Sequence, residues 1–490
     1  MSRAKSVERT ILGQPRGLAT LFLTEMWERF SYYGMRAVLI LYAVAAVGEG
    51  GLGFDDRVAS AVYGLYISAT YVFALFGGWM ADRLLGAQRA VIVGGVLIMG
   101  GNAMLVLGHL QSFFLGLAVI VLGVGLLKPN ISVMVAGLYA EGGARRDAGF
   151  SIFYVGISVG ALLGSLLVPL CVTRLGWHWG FGLPVIGMLL GLAQFLSTRH
   201  WLGGAGLAGS PPRSWRAWIP PLALVAGLVV LAAFLLTGTL RIDPVALSVL
   251  ASWLIGLFTL GYFAYLLFFA GLDLAERRRV LVMAALFAAY AIFFAGFEQG
   301  GASLNLFAER YTERHVFGWD MPAGVLQGTT ALYTILFAPA FAALWLALGR
   351  RALDPAPSIK FAAGLFLLAA GNLVIYFASR YVVSGVKVLP TWLLLTYFLQ
   401  ECGDLCLSPV GLSSMTKLAP PRFAGQVMGL WFLALALGNN LAGQLSGEYD
   451  ARNLESLPAL FMKITLLSVI AGAVMLVLTP QLKRLMGGVK

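Results

Sequence analysis

The sequence predicts an all-α polytopic membrane protein with fourteen spanning helices, grouped as six, two and six, with both termini in the cytoplasm. Three observations carry that prediction. Hydrophobic residues make up 59% of the 490 and charged residues 11%, less than half the roughly 25% charge of a soluble domain. Apolar runs recur between polar breaks along the whole chain. Lysine and arginine concentrate in alternate breaks. Mean hydropathy is +0.85, so the net charge of +12 speaks to the sidedness of a membrane and not to nucleic acid.

A bilayer core about 30 Å thick needs about 20 apolar residues per helix. The runs that meet this are 17–46, 58–81, 90–108, 112–139, 149–172, 180–198, 217–237, 244–270, 280–307, 323–348, 360–379, 388–416, 423–446 and 457–478. The first segment follows a basic start, exceeds the length of a secretory h-region and lacks a small-residue cleavage site, so it reads as a helix that stays. With the N-terminus in the cytoplasm, segments on that side hold 22 of the 34 basic residues and the opposite side nine, while Arg29, Arg36 and Lys128 lie inside spans. The longest polar break, 199–216, is Gly-rich and carries Pro211, Pro212 and three arginines. It divides the chain into a first six-helix bundle over 1–200, a linker with two accessory spans over 201–278, and a second six-helix bundle over 279–490. The accessory spans are apolar all round, as helices facing lipid are. A six-plus-six arrangement suggests two bundles rocking about a central site.

Eight ionisable residues fall within spans: Glu25, Glu28, Arg29, Arg36, Lys128, Glu298, Glu401 and Asp404. Each costs on the order of 2.5–3.5 kcal/mol on insertion scales unless paired or wetted. At 100° per residue, Glu25, Glu28, Arg29, Tyr32, Tyr33 and Arg36 share one side of the first helix, opposite Leu21, Leu23, Trp27, Ala37 and Leu41. Lys128 precedes Pro129 and Asn130 in the fourth span, where proline frees a carbonyl and suits a bend beside a cavity. Tyr397, Glu401, Asp404 and Ser408 share a face of the twelfth span, before Pro409. Carboxylates beside cations in a partly dry site form a protonation switch, because cations favour the charged form and burial disfavours it. The four histidines (His109, His178, His200 and His315) fall in connections or at span ends, so mid-membrane proton chemistry belongs to Glu25, Glu28, Glu298 and Asp404. Cys171, Cys402 and Cys406 have no disulfide or zinc-ligand spacing, and no metal site is expected.

The run from Glu25 to Arg36, EMWERFSYYGMR, resembles the ExxERFxYYG signature of the proton-dependent oligopeptide transporters of the major facilitator superfamily. Further matches follow in order: Gly78, Asp82, Arg83, Gly86 and Arg89 resemble the facilitator loop motif; Lys128-Pro129-Asn130 resembles the helix-four KPN; Phe153, Tyr154, Ile157, Ser158 and Gly160 resemble FYxxINxG; Phe297-Glu298-Gln299 resembles FEQ; Ser408-Pro409 with Gly411-Leu412, and Gly425-Gln426 with Trp431-Phe432, match later helices. Bacterial members also carry two extra helices between the halves.

The resemblance implies the major facilitator fold and a proton-coupled symporter that imports di- and tripeptides by alternating access, in the bacterial cytoplasmic membrane. It assigns proton coupling to Glu25, Glu28, Arg29 and Glu298. It implies gating pairs of Arg36 with Glu298 and Lys128 with Asp404. Tyr32, Tyr33, Tyr71 and Trp431 match pocket positions. The departures bear on substrate: the family's helix-five asparagine is Ser158, its helix-eight asparagine is Thr330, and its helix-ten glutamate is Asp404, with Glu401 one turn away as an accessory acid. An amide offers donor and acceptor together with a reach that a hydroxyl lacks. The expected partners are small peptides and the lipid bilayer, with no nucleic acid. Protons are the coupling ion, no cofactor is expected, and the chain is expected to work as a monomer. The alternative is a proton-coupled carrier of another small amphoteric or anionic solute. A polytopic membrane enzyme is a distant alternative, because no histidine or cysteine pattern supplies a nucleophile–base pair or metal cluster.

Overall fold

The protein is described by a computed structural model that covers residues 10–487 except 12, 140–143, most of 208–242, 317, 352 and 451–452. The expected span over 217–237 lies outside the described residues. The others are helical: α1 Arg16–Val44, α2 Asp56–Met80, α3 Ala87–Val106, α4 Leu110–Gly137, α5 Ala144–Leu175, α6 Trp177–Thr198, α7 Pro244–Phe268, α8 Leu274–Phe297, α9 Ser303–Tyr311, α10 Gly328–Arg350, α11 Pro357–Val383, α12 Thr391–Leu418, α13 Ala424–Ser446 and α14 Ser456–Met486. Two short hairpins accompany them, β1 (Thr10–Ile11) with β2 (Gln14–Pro15), and β3 (His315–Val316) with β4 (Trp319–Asp320).

Among the described residues ten helical segments are long and apolar enough to cross a membrane. Three more, α1, α12 and α13, have the length but are more polar. They carry Glu25, Glu28, Arg29 and Arg36, then Glu401 and Asp404, then Asn439 and Asn440. Two of these three, α1 and α12, carry six of the eight ionisable residues that the sequence places within spans.

The ninth span differs from the expected continuous helix. It stops at Phe297, passes through a 3₁₀ turn over Glu298–Gly301 and resumes as α9. Gln299 holds the break. It is fully buried, its Nε2 donates to Ala295 O and Ala442 O at 3.0 Å each, and its Oε1 accepts from Ser303 Oγ at 2.6 Å. Backbone groups released by a broken helix must be satisfied by neighbouring side chains when water is absent; Gln299 reaches one carbonyl of that helix, Ala295 O, and its second donated bond ties the break to α13.

The chain forms two compact units, Met1–Arg36 with Val72–Ile242, and Ala37–Tyr71 with Asp243–Lys490. In the first, glycines set the helix spacing. A Cβ on Gly156, Gly160 or Gly164 of α5 would meet Phe22, Met26 O at 2.1 Å or Phe30 O at 2.3 Å. This stripe at four-residue intervals lets α5 lie against the backbone of α1, the small-residue packing of membrane helices. On the other side of α1, Trp27 packs over Gly187 and Gly191 of α6. Pro129 has no N–H to donate to the Gly125 carbonyl in the helical ladder, and that carbonyl lies against Gly77 of α2, 1.9 Å from where a Cβ would stand. Asn130 Nδ2 donates to Leu126 O at 2.6 Å and Gly77 O at 3.2 Å, bridging the same contact. The facilitator loop motif forms a wider π-helical turn over Ala81–Leu85, closed by Gly86 at φ +76°, a conformation that favours glycine.

In the second unit, the end of α1 and the start of α2 pack with later helices. Gly64 meets Gly443, Ser60 Oγ meets Ser446 Oγ at 2.9 Å, and Asn305 Nδ2 donates to Ala37 O at 2.9 Å. Arg310 grips Asp56 through both guanidinium nitrogens, at 2.8 and 2.7 Å, and also donates to Tyr449. Helix α7 has 11% of its most apolar stretch buried within the protein. Polar contacts attach it to α13: Ser248 and Ser252 with Asn440 and Gln444, and Tyr262 OH donating to Gln426 Oε1.

Substituting Gly160→Ala forces a methyl against Met26 O and should cost about 1–3 kcal/mol, as overpacking does. Gly182→Ala, where a Cβ meets open space, should hold or raise the melting temperature, since alanine is the better helix former. Thermal melts of the solubilised protein check both; equal melting temperatures would contradict this packing.

Candidate functional site

The first unit brings Glu25, Glu28 and Arg29 together on one turn of α1. All three are at most 3% exposed. Arg29 Nε pairs with Glu25 Oε1 at 3.2 Å and with Glu28 Oε2. Its guanidinium also sits over the Tyr32 ring at 4.9 Å. Two carboxylates therefore share one cation in direct contact. The cluster is not saturated: Glu25 Oε2, Glu28 Oε1 and Arg29 Nη2 are buried without a hydrogen-bond partner among the described residues. A half-satisfied buried polar network is costly, and a proton on either carboxyl relieves it. Lys128 of α4 is half-buried and acts electrostatically on Glu25.

One turn further along α1, the Tyr32 and Tyr33 rings meet edge to face at 5.2 Å, and Arg36 lies 5.6 Å from the Tyr33 ring. The polar stripe of α1 thus continues as alternating cation and ring, a favourable arrangement where solvent is excluded. Ser158 is buried on α5, two residues before Gly160.

The second unit holds the remaining residues. Glu298, 4% exposed, opens the turn that breaks the helix, and Tyr63 OH donates to its Oε2 at 3.4 Å. A carboxylate at a helix break sits where backbone groups are released from the ladder, as in transporters with discontinuous spans. Asp404, part-buried on α12, accepts from Ser408 Oγ one turn on. Ser408 Oγ lies 3.0 Å from Tyr290 OH, and Tyr290 stacks on Trp431 with ring centroids 3.7 Å apart. Trp431 fits because α12 carries Gly411, where a Cβ would stand 2.1 Å from its ring. Tyr71 stacks on Phe432 at 6.5 Å. Glu401 is 4% exposed and accepts from Thr334 Oγ1 of α10 at 2.6 Å. Thr330, one turn earlier, turns its hydroxyl back to Gln327 O at 2.8 Å.

The structure therefore gathers Glu25, Glu28, Arg29, Tyr32, Tyr33, Arg36, Lys128 and Ser158 in one unit, and Tyr71, Glu298, Thr330, Glu401, Asp404 and Trp431 in the other. Sequence reasoning missed Tyr63, Tyr290 and Thr334. A hydroxyl within an apolar helix leaves no mark in composition or spacing; its partner is visible only in three dimensions.

The sequence pattern of the POT family matches residues 88–467. A peptide transporter of Yersinia enterocolitica, YePEPT, is 42% identical across 98% of this chain and 96% of its own length. A di-/tripeptide transporter of Lactococcus lactis subsp. cremoris is 34% identical over the whole of both chains. The crystal structure of the peptide transporter POT in complex with sulfate superposes with a TM-score of 0.91 at 40% identity, covering 98% of each chain. A POT family transporter in complex with 5-aminolevulinic acid gives 0.88 at 33% identity, covering 97% of this chain and 98% of that one. The chain belongs to the POT family, the proton-dependent oligopeptide transporters. It has the major facilitator fold of those structures and is a multi-pass protein of the bacterial inner membrane.

Replacing Gln299 with leucine removes the bonds to Ala295 O and Ala442 O and the one accepted from Ser303 Oγ. Each lost hydrogen bond costs about 1 kcal/mol. Gln299→Leu should lower the melting temperature, and Gln299→Glu, which keeps the length but not the donor, should also lower it. Wild-type melting in both variants would contradict the role given to this amide.

Proposed function

We propose that the protein is a proton-coupled symporter that imports di- and tripeptides by alternating access, driven by the proton gradient. The observation that carries the proposal is the pair of buried carboxylates, Glu25 and Glu28, sharing the single guanidinium of Arg29. Lys128 adds a second cation from α4. When a conformational change alters the influence of Lys128, the charge balance at Glu25 changes and a proton makes up the difference. Proton binding and helix movement are then one event. Family membership and the names of the relatives support the peptide substrate.

In this reading Glu298 is the second proton-linked carboxyl, at the helix break. By the sequence motifs, Tyr32, Tyr33, Tyr71 and Trp431 stand at the family's pocket positions, and Ser158 and Thr330 where the family's asparagines stand. Arg36 with Glu298, and Lys128 with Asp404, are proposed as gating pairs on the strength of the sequence motifs. The six-two-six division, the cytoplasmic placement of both termini and function as a monomer belong to the same proposal. A second reading, a carrier of another small amphoteric or anionic solute, is favoured by Ser158, Thr330 and Asp404, which stand where the family usually has two amides and a glutamate.

Glu25→Gln mimics a permanently protonated carboxyl. In proteoliposomes it should retain peptide counterflow while losing at least about tenfold in accumulation driven by a pH gradient, the scale of one lost charge-coupled step. Accumulation at the wild-type level would refute the coupling assignment. Competition for uptake among dipeptides, amino acids and organic anions separates the two substrate readings; dipeptides should compete best.

A further inference from the structure

The surroundings of Asp404 hold a chain of groups that the proposed cycle leaves unused. Ser408 lies four residues after Asp404 on α12, on the same face, and its hydroxyl donates to Asp404 Oδ1. A serine hydroxyl has one proton to give. With that proton committed to the carboxylate, the 3.0 Å contact with Tyr290 has one direction: Tyr290 OH donates and Ser408 Oγ accepts. Tyr290, 3% exposed on α8, lies flat against Trp431 of α13 at 3.7 Å with 21° between the ring planes. Three helices thus meet in one directed chain, Tyr290 to Ser408 to Asp404, whose far end is stacked on an aromatic ring.

We infer that Tyr290 and Ser408 are positioning residues for Asp404, a hydroxyl relay that ties the acid to the Trp431 wall. The inference rests on the reading of Asp404 as part of the substrate and proton machinery. Aspartate is one methylene shorter than glutamate, so its carboxylate stays close to its own helix, within reach of a serine one turn away. The relay holds that short carboxylate in a single orientation. It also makes the acid respond to the aromatic wall: displacing Trp431 carries Tyr290 with it, withdraws the donor from Ser408 and loosens the hold on Asp404. The other titratable and charged groups around Asp404 in its unit are Glu401, Glu298, Lys360 and the buried Cys406 thiol two residues on, which senses the Asp404 charge. Glu401 on the same helix is held by Thr334 of α10, Glu298 at the break after α8 is held by Tyr63, and Lys360 of α11 is engaged by Asp354 at 2.7 Å. The α13 segment 424–446 contributes no charged residue.

The test measures the pH profile of dialanine uptake in proteoliposomes for Ser408→Ala, Tyr290→Phe and the double variant. Losing a donor to a carboxylate weakens its charged form, so Asp404 then keeps its proton to higher pH. The alkaline limb of the profile should move up by about one pH unit in Ser408→Ala, and in the same direction but less in Tyr290→Phe. The double variant should match Ser408→Ala, because the tyrosine acts only through the serine. Ser408→Thr keeps the hydroxyl and should restore the wild-type midpoint. Tyr290→Phe at the wild-type midpoint, shifts that add in the double variant, or unshifted profiles throughout would overturn the relay. A wild-type profile without pH dependence would instead refute proton coupling itself, so the two failures are distinguishable.

Discussion

A charge in hydrocarbon must have an opposite charge, a hydrogen bond or a proton, and the contact of Arg29 with two buried carboxylates is where this protein meets that constraint most sharply. One guanidinium serves Glu25 and Glu28, so the turn is stable only with help from elsewhere. The rest of the first unit is arranged to keep that help close and water out. The glycines of α5 bring its backbone against α1 at the level of Met26 and Phe30. The α6 glycines receive Trp27 from the other side. Lys128 arrives beside a proline whose released carbonyl is taken up by a glycine contact with α2. Tight packing of this kind has few intermediate states, which is what a switch between two protonation states needs.

The second unit solves the same problem with hydroxyls and amides. Glu298 takes a tyrosine, Glu401 a threonine and Asp404 a serine backed by a tyrosine. A neutral donor stabilises a carboxylate through a hydrogen bond to its charged form. The broken helix follows the same logic. A turn at Glu298–Gly301 places a carboxylate at the helix break, and Gln299 ties that break to Ala295 O before it and Ala442 O of α13.

Much of this was legible in the sequence. The 3.6-residue spacing placed Glu25, Glu28 and Arg29 on one face, and the structure joins them in one ion cluster. Outside 217–237 the apolar runs found the membrane helices, because a bilayer demands a minimum length of each, although α8 begins six residues before its expected span and α14 ends eight residues after its own. The low burial of α7 followed from its uniform apolarity. What stayed hidden has common physical causes. The break after Phe297 leaves no proline in the run, and a Gly-Gly pair occurs in many intact membrane helices. Thr334, Tyr63 and Tyr290 act through partners far away in sequence. The motif glycines Gly160 and Gly411 were visible as letters, but their work, admitting the α1 backbone and the Trp431 ring, shows only in the packing.

The measurement that tests the central claim most directly is proton movement driven by substrate alone. Proteoliposomes with a pH-sensitive dye inside are given dialanine outside, with no imposed pH gradient or voltage. The account predicts acidification of the lumen that saturates with dialanine concentration and vanishes in Glu25→Gln. Dialanine entering the lumen with no change in its pH would contradict it.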